Sequence, residues 1–189
     1  MKKIIALCLC LALLLGCAAA VAETAEKNYT GELTVNGKFT AKWVAPEGYH
    51  TTDVQSGDAG FMIVALVPDE GNEGKPMMII SIAPEELLSE VNRLNDLDDA
   101  ALAQIEATFR EEDEVEISYM ETAYGTKLMV VKENAAGVDY VDFYTIYLGY
   151  EIELVLTQTE ENAGVPITDE QIATVIQFLS DLSFEPIAE

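Results

Sequence analysis

The sequence predicts an α+β fold in which a mainly antiparallel sheet is covered by helices on both faces, as in an α/β/α sandwich. Two apolar runs, residues 60–68 and 76–83, do not alternate with polar residues. Such runs are typical of strands whose two faces are both covered. The connections between successive strand-like segments are too short for parallel crossovers, which favours antiparallel pairing.

The first strands flank Asn36-Gly37. Asn-Gly between the strand-like runs "GELTV" and "KFTAKWV" predicts a tight hairpin, because both turn positions take positive φ. Residues 45–60 are then predicted to be a loop. The charged, turn-rich "DEGNEGK" joins the two apolar strands that follow.

Three helices are predicted after these strands. The first begins at Pro84, a residue favoured at the first helical position. The second is capped by Asp96 or Asp98 and ends before the acidic residues Glu111 to Glu114. The third begins with a capping box formed by Thr168 and Gln171. Their apolar stripes consist of Leu87, Leu88, Val91 and Leu94; of Ala101, Leu102, Ile105 and Phe109; and of Ile172, Val175, Ile176, Leu179 and Leu182.

Four further strands are predicted between the second and third helices, at 115–120, 126–133, 138–148 and 150–158. Gly125, the segment 134–137 and Gly149 supply turn signals between them. The predicted order is therefore four strands, two helices, about four strands and a final helix.

Three segments resemble the PsbP, Mog and DcrB-like α/β/α sandwich domains of exported bacterial proteins. They are "NGKFTAKWVAPEGY", "YTIYLGYEIELVLTQ" and "TDEQIATVIQFLSDLSFEP". The chain departs from that group in its two consecutive predicted helices and its few basic residues. The resemblance implies a binding or accessory role but no particular ligand, and it transfers no site residue.

The amino terminus is predicted to be an export signal. Lys2 and Lys3 precede an apolar run that is too short to span a bilayer, and "AVA" ends a signal peptide at residues 1–22. The alternative is a lipobox, "LLGC", with removal of 1–16 and lipidation of Cys17. We favour release, for which the mature chain begins at Glu23, followed by a short flexible segment (23–28) and one domain (29–189).

Composition excludes several classes of function. The chain has 34 acidic against 10 basic residues, and its scattered cations predict no nucleic-acid binding. The acidity is most simply a solubility feature, and its alternative is a cationic partner or divalent ions held in acidic clusters. All three cysteines lie in the predicted signal. Disulfides, thiolate metal sites and cysteine nucleophiles are therefore not expected in the mature chain.

Catalytic and metal-binding patterns are weak. His50 is the only histidine, and no serine lies in a G-x-S-x-G context. The acidic segments 69–74 and 95–99 do not match a calcium loop, and 95–99 is better explained as a helix cap. Carboxylates are too numerous for their sequence positions to indicate a pair with hydrolytic geometry.

Aromatic residues are the best candidates for ligand binding. Tyr140, Asp142 and Tyr144 are predicted on one face of a long strand, and Tyr147 on the other. Such rings offer apolar area and a hydroxyl group, and with Trp43 they form the speculative ligand-binding set Tyr140, Tyr144, Tyr147 and Trp43. The competing interpretation places these rings in strand packing.

We therefore expect an exported, non-enzymatic binding or accessory module, extracellular or attached to the outer side of the bacterial cell membrane. Its partner is expected to be a protein or small molecule, cationic in one interpretation. No cofactor, metal site or transmembrane helix is expected, and the chain is expected to be a monomer. The alternatives are a carboxylate-dependent hydrolase and an acidic surface protein stabilised by divalent cations.

Overall fold

The computed structural model describes residues 29–57, 60–72, 74–110, 115–122, 125–135, 138–159, 162 and 164–188. These residues form strands, two α-helices and two short 3₁₀ turns. The strands are β1 (Gly31–Val35), β2 (Phe39–Trp43), β3 (Tyr49–Thr51), β4 (Gln55–Ser56), β5 (Met62–Pro68), β6 (Met77–Pro84), β7 (Glu116–Glu121), β8 (Lys127–Ala135), β9 (Val138–Tyr147), β10 (Tyr150–Thr157) and β11 (Ser183–Pro186). The helices are α1 (Asp99–Phe109) and α2 (Asp169–Asp181), and the 3₁₀ turns are Glu86–Leu88 and Leu94–Asp96.

The strands form two antiparallel sheets. The large sheet has the order β3-β5-β6-β10-β9-β8-β7, and β4 also pairs with β5. The small sheet has the order β1-β2-β11, so the carboxyl-terminal strand completes a sheet begun by the first hairpin. The predicted antiparallel pairing is thus confirmed. The predicted loop 45–60 is partly wrong, because β3 and β4 lie within it.

One face of the large sheet is covered by the small sheet and α2. Val35, Phe39 and Trp43 of the small sheet are buried against it, and α2 contributes Val175 and Phe178 to the same core. The large sheet contributes inward-facing residues of six strands, among them Tyr49, Val64, Met78, Ile80, Leu128, Phe143, Ile152 and Leu154. This is the main hydrophobic core.

The opposite face is covered over only part of its width. Helix α1 and the segment before it pack on β8 and β9 through a second core, which contains Leu94, Leu102, Met129, Val131, Tyr144 and Ile146. The other half of this face, formed by β5, β6 and β10, carries half-buried residues, including Ile63, Ile79 and Val155. The prediction of helices on both faces is therefore wrong, because a small sheet shares one face and α1 spans only part of the other.

The apolar runs of β5 and β6 also differ from expectation. Val64 and Ile80 are buried, whereas their neighbours Ile63 and Ile79 are only half-buried. The predicted burial of both faces is wrong here, because the unbroken apolar sequence places hydrophobic groups on a face that no described element covers. The sandwich architecture therefore gives no support to a binding or accessory role. Evidence for such a role must come from the uncovered half of the second face, formed by β5, β6 and β10, which we call the open face.

The helix predicted to begin at Pro84 is not formed. Pro84 ends β6, and the segment after it contains only 3₁₀ turns. Its backbone pairs instead with the turn between β9 and β10: the N–H of Leu148 donates to Asn92 O (2.9 Å) and that of Gly149 to Val91 O (2.9 Å). Because these distant partners satisfy the backbone groups, the local helical pattern does not decide the conformation.

Gly149 lets this segment approach the β9–β10 turn closely. It has φ +79°, and an added Cβ would lie 3.1 Å from the Cα of Ser89. We expect Gly149→Ala to lower the free energy of unfolding by about 1–3 kcal/mol, since it adds backbone strain and crowding. Gly37→Ala is the control, since Gly37 has φ +70° but nothing within 4 Å of an added Cβ. Equal losses in urea denaturation would contradict the close approach at Gly149.

Three local signals are confirmed. Asn36 and Gly37 have positive φ values of 47° and 70° between β1 and β2. The Asp98 carboxylate caps α1 by accepting from Ala101 N (2.8 Å). Thr168 and Gln171 form the predicted capping box of α2. The acidic residues 111–114 lie outside the described residues, and no helix within the described part is long and apolar enough to cross a bilayer.

Candidate functional site

A cleft of about 690 Å³ lies where the covered and uncovered halves of the second face meet. One wall is α1, the other is the segment around the first 3₁₀ turn, and the floor is formed by β9 and β10. The walls are mainly apolar and include Leu87, Leu88, Val91, Leu97, Ile105 and Phe109. This volume lies in the range of small-molecule sites, which are typically apolar with a few placed polar groups.

The polar groups of the floor come from strand alternation. In β10, Ile152 and Leu154 point into the main core, so Glu151 and Glu153 both point to the cleft. The register places Glu153 directly between Ser81 of β6 and Tyr144 of β9. The carboxylates are therefore fixed on paired strands in the middle of the large sheet.

Hydrogen bonds hold these carboxylates in place. The Tyr144 hydroxyl donates to Glu151 Oε1 (3.0 Å), and the Ser81 hydroxyl donates to Glu153 Oε2 (3.3 Å). Burial and the charge of Glu151 raise the pKa of Glu153, while the Ser81 hydrogen bond lowers it in part. Burial and then the charge of Glu151 raise the pKa of Tyr144, so this phenol stays protonated and donating.

Glu85 adds a third carboxylate at the edge of the cleft. It follows β6, its N–H donates to Gly149 O (3.1 Å), and its Oε1 accepts from Leu87 N (2.9 Å). That second bond holds the first 3₁₀ turn. Leu87 is 90% exposed at this edge.

Aromatic rings close one end of the cleft. Tyr144 is 2% exposed, and its ring meets that of Phe109 edge to face at a centroid distance of 5.5 Å. This geometry is favourable for aromatic pairs and fixes the end of α1 against the sheet. The cleft thus has a rigid floor and an aromatic corner.

Asp142 is half-buried on the same face, and one oxygen of its carboxyl group is buried. It lies between Val155 and Val131 in the register of the sheet, and its Oδ1 is buried with no hydrogen-bond partner among the described residues. Burial raises the pKa of Asp142 to about 8, with smaller contributions from Glu153 and Glu133. The neutral form of Asp142 is therefore favoured up to a pH well above the usual pKa of a carboxyl group.

The predicted ligand-binding residues do not meet at one site. Tyr144 forms part of the cleft floor, while half-buried Tyr140 lines a separate groove with Ile167 and Ile172. Tyr147 is buried on the other face, where it stacks on Phe184 (centroids 5.1 Å apart). Trp43 is 1% exposed and donates to the Thr51 hydroxyl (3.2 Å). Trp43 and Tyr147 therefore serve the main core.

Other residues singled out in the sequence have structural partners. Exposed His50 lies 2.8 Å from Asp69 Oδ1, on the far edge of the large sheet. In the segment 95–99, Asp98 caps α1 and Asn95 bonds the backbone at Gly125 and Lys127. The described residues contain no group of three or more potential metal ligands. Cys17 lies outside the described residues.

Sequence reasoning did not single out Glu85, Glu151, Glu153 or Phe109 as site residues. A signal was present for two of them, because Glu-Ile-Glu-Leu in a strand puts both glutamates on the face opposite the apolar residues. The position of Glu85 depends on its contact with the β9–β10 turn, which no local pattern reveals.

A scan against family models gave no match, and neither did a search of curated proteins. A search of solved structures found similarity to the solution structure of cyanobacterial PsbP from Synechocystis sp. PCC 6803. The two chains are 10% identical, the match covers 88% of this chain and 98% of the other, and the TM-score is 0.42. The weak resemblance to PsbP expected from the sequence is thereby confirmed, and it concerns the fold alone.

Proposed function

We propose that the chain is an exported, non-enzymatic binding module of the bacterial cell envelope or its exterior, and that the cleft between α1 and β10 is its ligand site. The observation that carries this proposal is the half-covered second face, where apolar walls and hydrogen-bonded carboxylates meet in a cleft of about 690 Å³. The predicted signal segment supports export.

The rest of the open face supports a binding role. Across the strands β10, β6 and β5, Glu153 pairs with Ser81, and Ser81 pairs with Ile63. In the neighbouring row of the same three strands, Ile79 pairs with Val155 and Ala65. The half-buried apolar residues of these two rows form a surface next to the cleft, namely Ile63, Ala65, Ile79 and Val155. This surface can hold a ligand or partner larger than the cleft itself.

Two acids of this face, Glu153 and Asp142, do not show the opposed pKa shifts that carboxylate-dependent hydrolysis requires. A hydrolase of that type needs one acid kept protonated and a second kept ionised by different environments. Here the pKa values of Glu153 and Asp142 are both raised, each mainly by burial. The two shifts have the same direction, which does not separate an acid from a base.

A second groove offers a competing location. It lies between residues 44–47 and α2 and has a volume of about 470 Å³. Its walls come from a loop and a helix surface, whereas the larger cleft has a floor of paired central strands. Rigid elements position ligand-binding groups more accurately than loops do, so we assign the site to the larger cleft.

Occupancy of the cleft can be measured with the neutral apolar fluorophore N-phenyl-1-naphthylamine. We expect saturable binding to the purified protein and a loss of affinity of at least about tenfold in Ala101→Phe, because Ala101 lines the cleft and a phenyl group fills it. Gln104→Trp, on the same wall, should weaken binding in the same direction.

Ala103→Phe is the matched control, because Ala103 is exposed on α1 and is not part of the cleft lining. It should bind the fluorophore like the wild type, and all three variants should keep the wild-type unfolding midpoint. Equal affinity in the Ala101 and Ala103 variants, or no saturable binding by the wild type, would refute this assignment of the site.

A further inference from the structure

The cleft combines an apolar interior with negative charge that no cation among its described lining residues offsets. Glu85, Glu151 and Glu153 line it, and none of the described residues that line it is a lysine, arginine or histidine. Ion pairs of lysine and arginine in the described part of the chain lie elsewhere, at Lys42–Glu185 and Arg110–Glu106. The charge of the cleft is therefore available to a ligand.

The hydrogen bonds of these carboxylates leave room for a cation. Glu151 accepts from Tyr144 through Oε1, and Glu153 accepts from Ser81 through Oε2. Both donors are neutral hydroxyl groups, so they orient the carboxylates without neutralising them. Each carboxylate keeps acceptor sites for an ammonium group, which carries donors and a full positive charge.

The electrostatics of the floor also favour a cation. Burial and the adjacent Glu151 raise the pKa of Glu153, so ionisation of Glu153 costs more in the empty cleft than it does in water. A positive charge beside both groups would stabilise the ionised form, and the net charge of −24 would draw cations toward the protein.

We infer that the ligand of the cleft is a cationic amphiphile, a small molecule whose apolar body lies between α1 and the segment at Leu87–Val91 and whose protonated amine binds Glu151 and Glu153. This inference rests on the proposed function and narrows it to one class of ligand. The matching features are apolar walls formed by Leu88, Ile105 and Phe109 and a carboxylate pair on the floor. Charge complementarity distinguishes this ligand from a fatty acid or a neutral lipid.

The test is displacement of N-phenyl-1-naphthylamine by three eight-carbon compounds at pH 7: octylammonium, octanol and octanoate. We expect octylammonium to displace the fluorophore at a concentration about tenfold or more below that of octanol, because it adds charge-assisted hydrogen bonds. Octanoate should be the weakest competitor. In Glu151→Gln/Glu153→Gln, octylammonium and octanol should displace the fluorophore at similar concentrations, because the charge that distinguishes them is gone.

A matched variant separates this site from the overall acidity of the chain. Glu32→Gln/Glu116→Gln removes the same two charges at exposed positions outside the cleft, and it should keep the preference for octylammonium. Loss of the preference in this control, or equal displacement by octylammonium and octanol in the wild type, would overturn the inference. If the fluorophore still binds in the cleft, the proposed function survives that result; if it does not bind there, both fail.

Discussion

Asp142→Asn is expected to raise the free energy of unfolding at pH 9 by roughly 3 to 6 kcal/mol, since each unit of pKa shift corresponds to about 1.4 kcal/mol. In the folded protein the pKa of Asp142 is raised from 3.8 to about 8, mainly by burial. Its buried Oδ1 has no hydrogen-bond partner among the described residues. The ionised side chain is therefore costly, and asparagine of the same shape removes that cost.

The pH dependence gives the sign of this effect. Between about pH 4 and pH 8 the folded state holds a proton on Asp142 that the unfolded state has released, so stability falls as pH rises through this window. Urea denaturation of wild type and variant should give similar free energies near pH 4 and diverge up to pH 8.

Asp53→Asn is the control for this experiment, since Asp53 is exposed and its replacement removes the same charge from the surface. It should change stability by less than about 1 kcal/mol at any pH. A wild type and an Asp142 variant that follow parallel curves from pH 4 to pH 9 would show that Asp142 is not buried in the folded protein.

Phe39→Ala is expected to lower the free energy of unfolding by about 3–5 kcal/mol. Phe39 is fully buried, and its ring meets Tyr147 and Tyr150 of the large sheet edge to face, at 5.1 and 5.4 Å, and Phe184 of β11 at 6.0 Å. The side chain thus joins the small sheet to the large one, and its removal leaves a cavity between them.

Phe61→Ala provides a matched control, because Phe61, directly before β5, is 37% exposed. It should cost less than about 1 kcal/mol in the same thermal or urea denaturation. Comparable losses in the two variants would contradict the packing of the small sheet on the large one.

Local sequence signals correctly predicted those turns and helix caps whose formation requires only residues close together in the chain. The Asn36-Gly37 turn, the Asp98 cap and the capping box of α2 each need only a few neighbouring groups, and all are present. The helix expected at Pro84 failed because the backbone of residues 85–93 bonds to a turn more than fifty positions later. Propensity cannot anticipate such a partner.

The coverage of the sheet was mispredicted for a related reason. An unbroken apolar run such as that of β5 shows that hydrophobic groups lie on both faces, but not what covers each face. Ile80 and Ile79 look equivalent in the sequence, yet one is buried and the other half-buried. Only the placement of α1 over β8 and β9 decides this difference.

The candidate site was predicted in part. Strand alternation correctly placed Tyr144 and Tyr147 on opposite faces of β9. It could not show that Trp43 and Tyr147 are buried in the main core, nor that Glu85 reaches the cleft. Those positions follow from contacts between segments that are distant in the chain.

Amide chemical-shift mapping on the ¹⁵N-labelled protein tests the central claim most directly, because it locates a bound apolar ligand without any substitution. On titration with N-phenyl-1-naphthylamine, the largest shifts should fall in Leu87–Val91, in α1 and at Glu151 to Glu153, the residues that surround the cleft. Shifts concentrated instead in α2 and residues 44–47, or no saturable shifts at all, would contradict the assignment of the open face as the binding site.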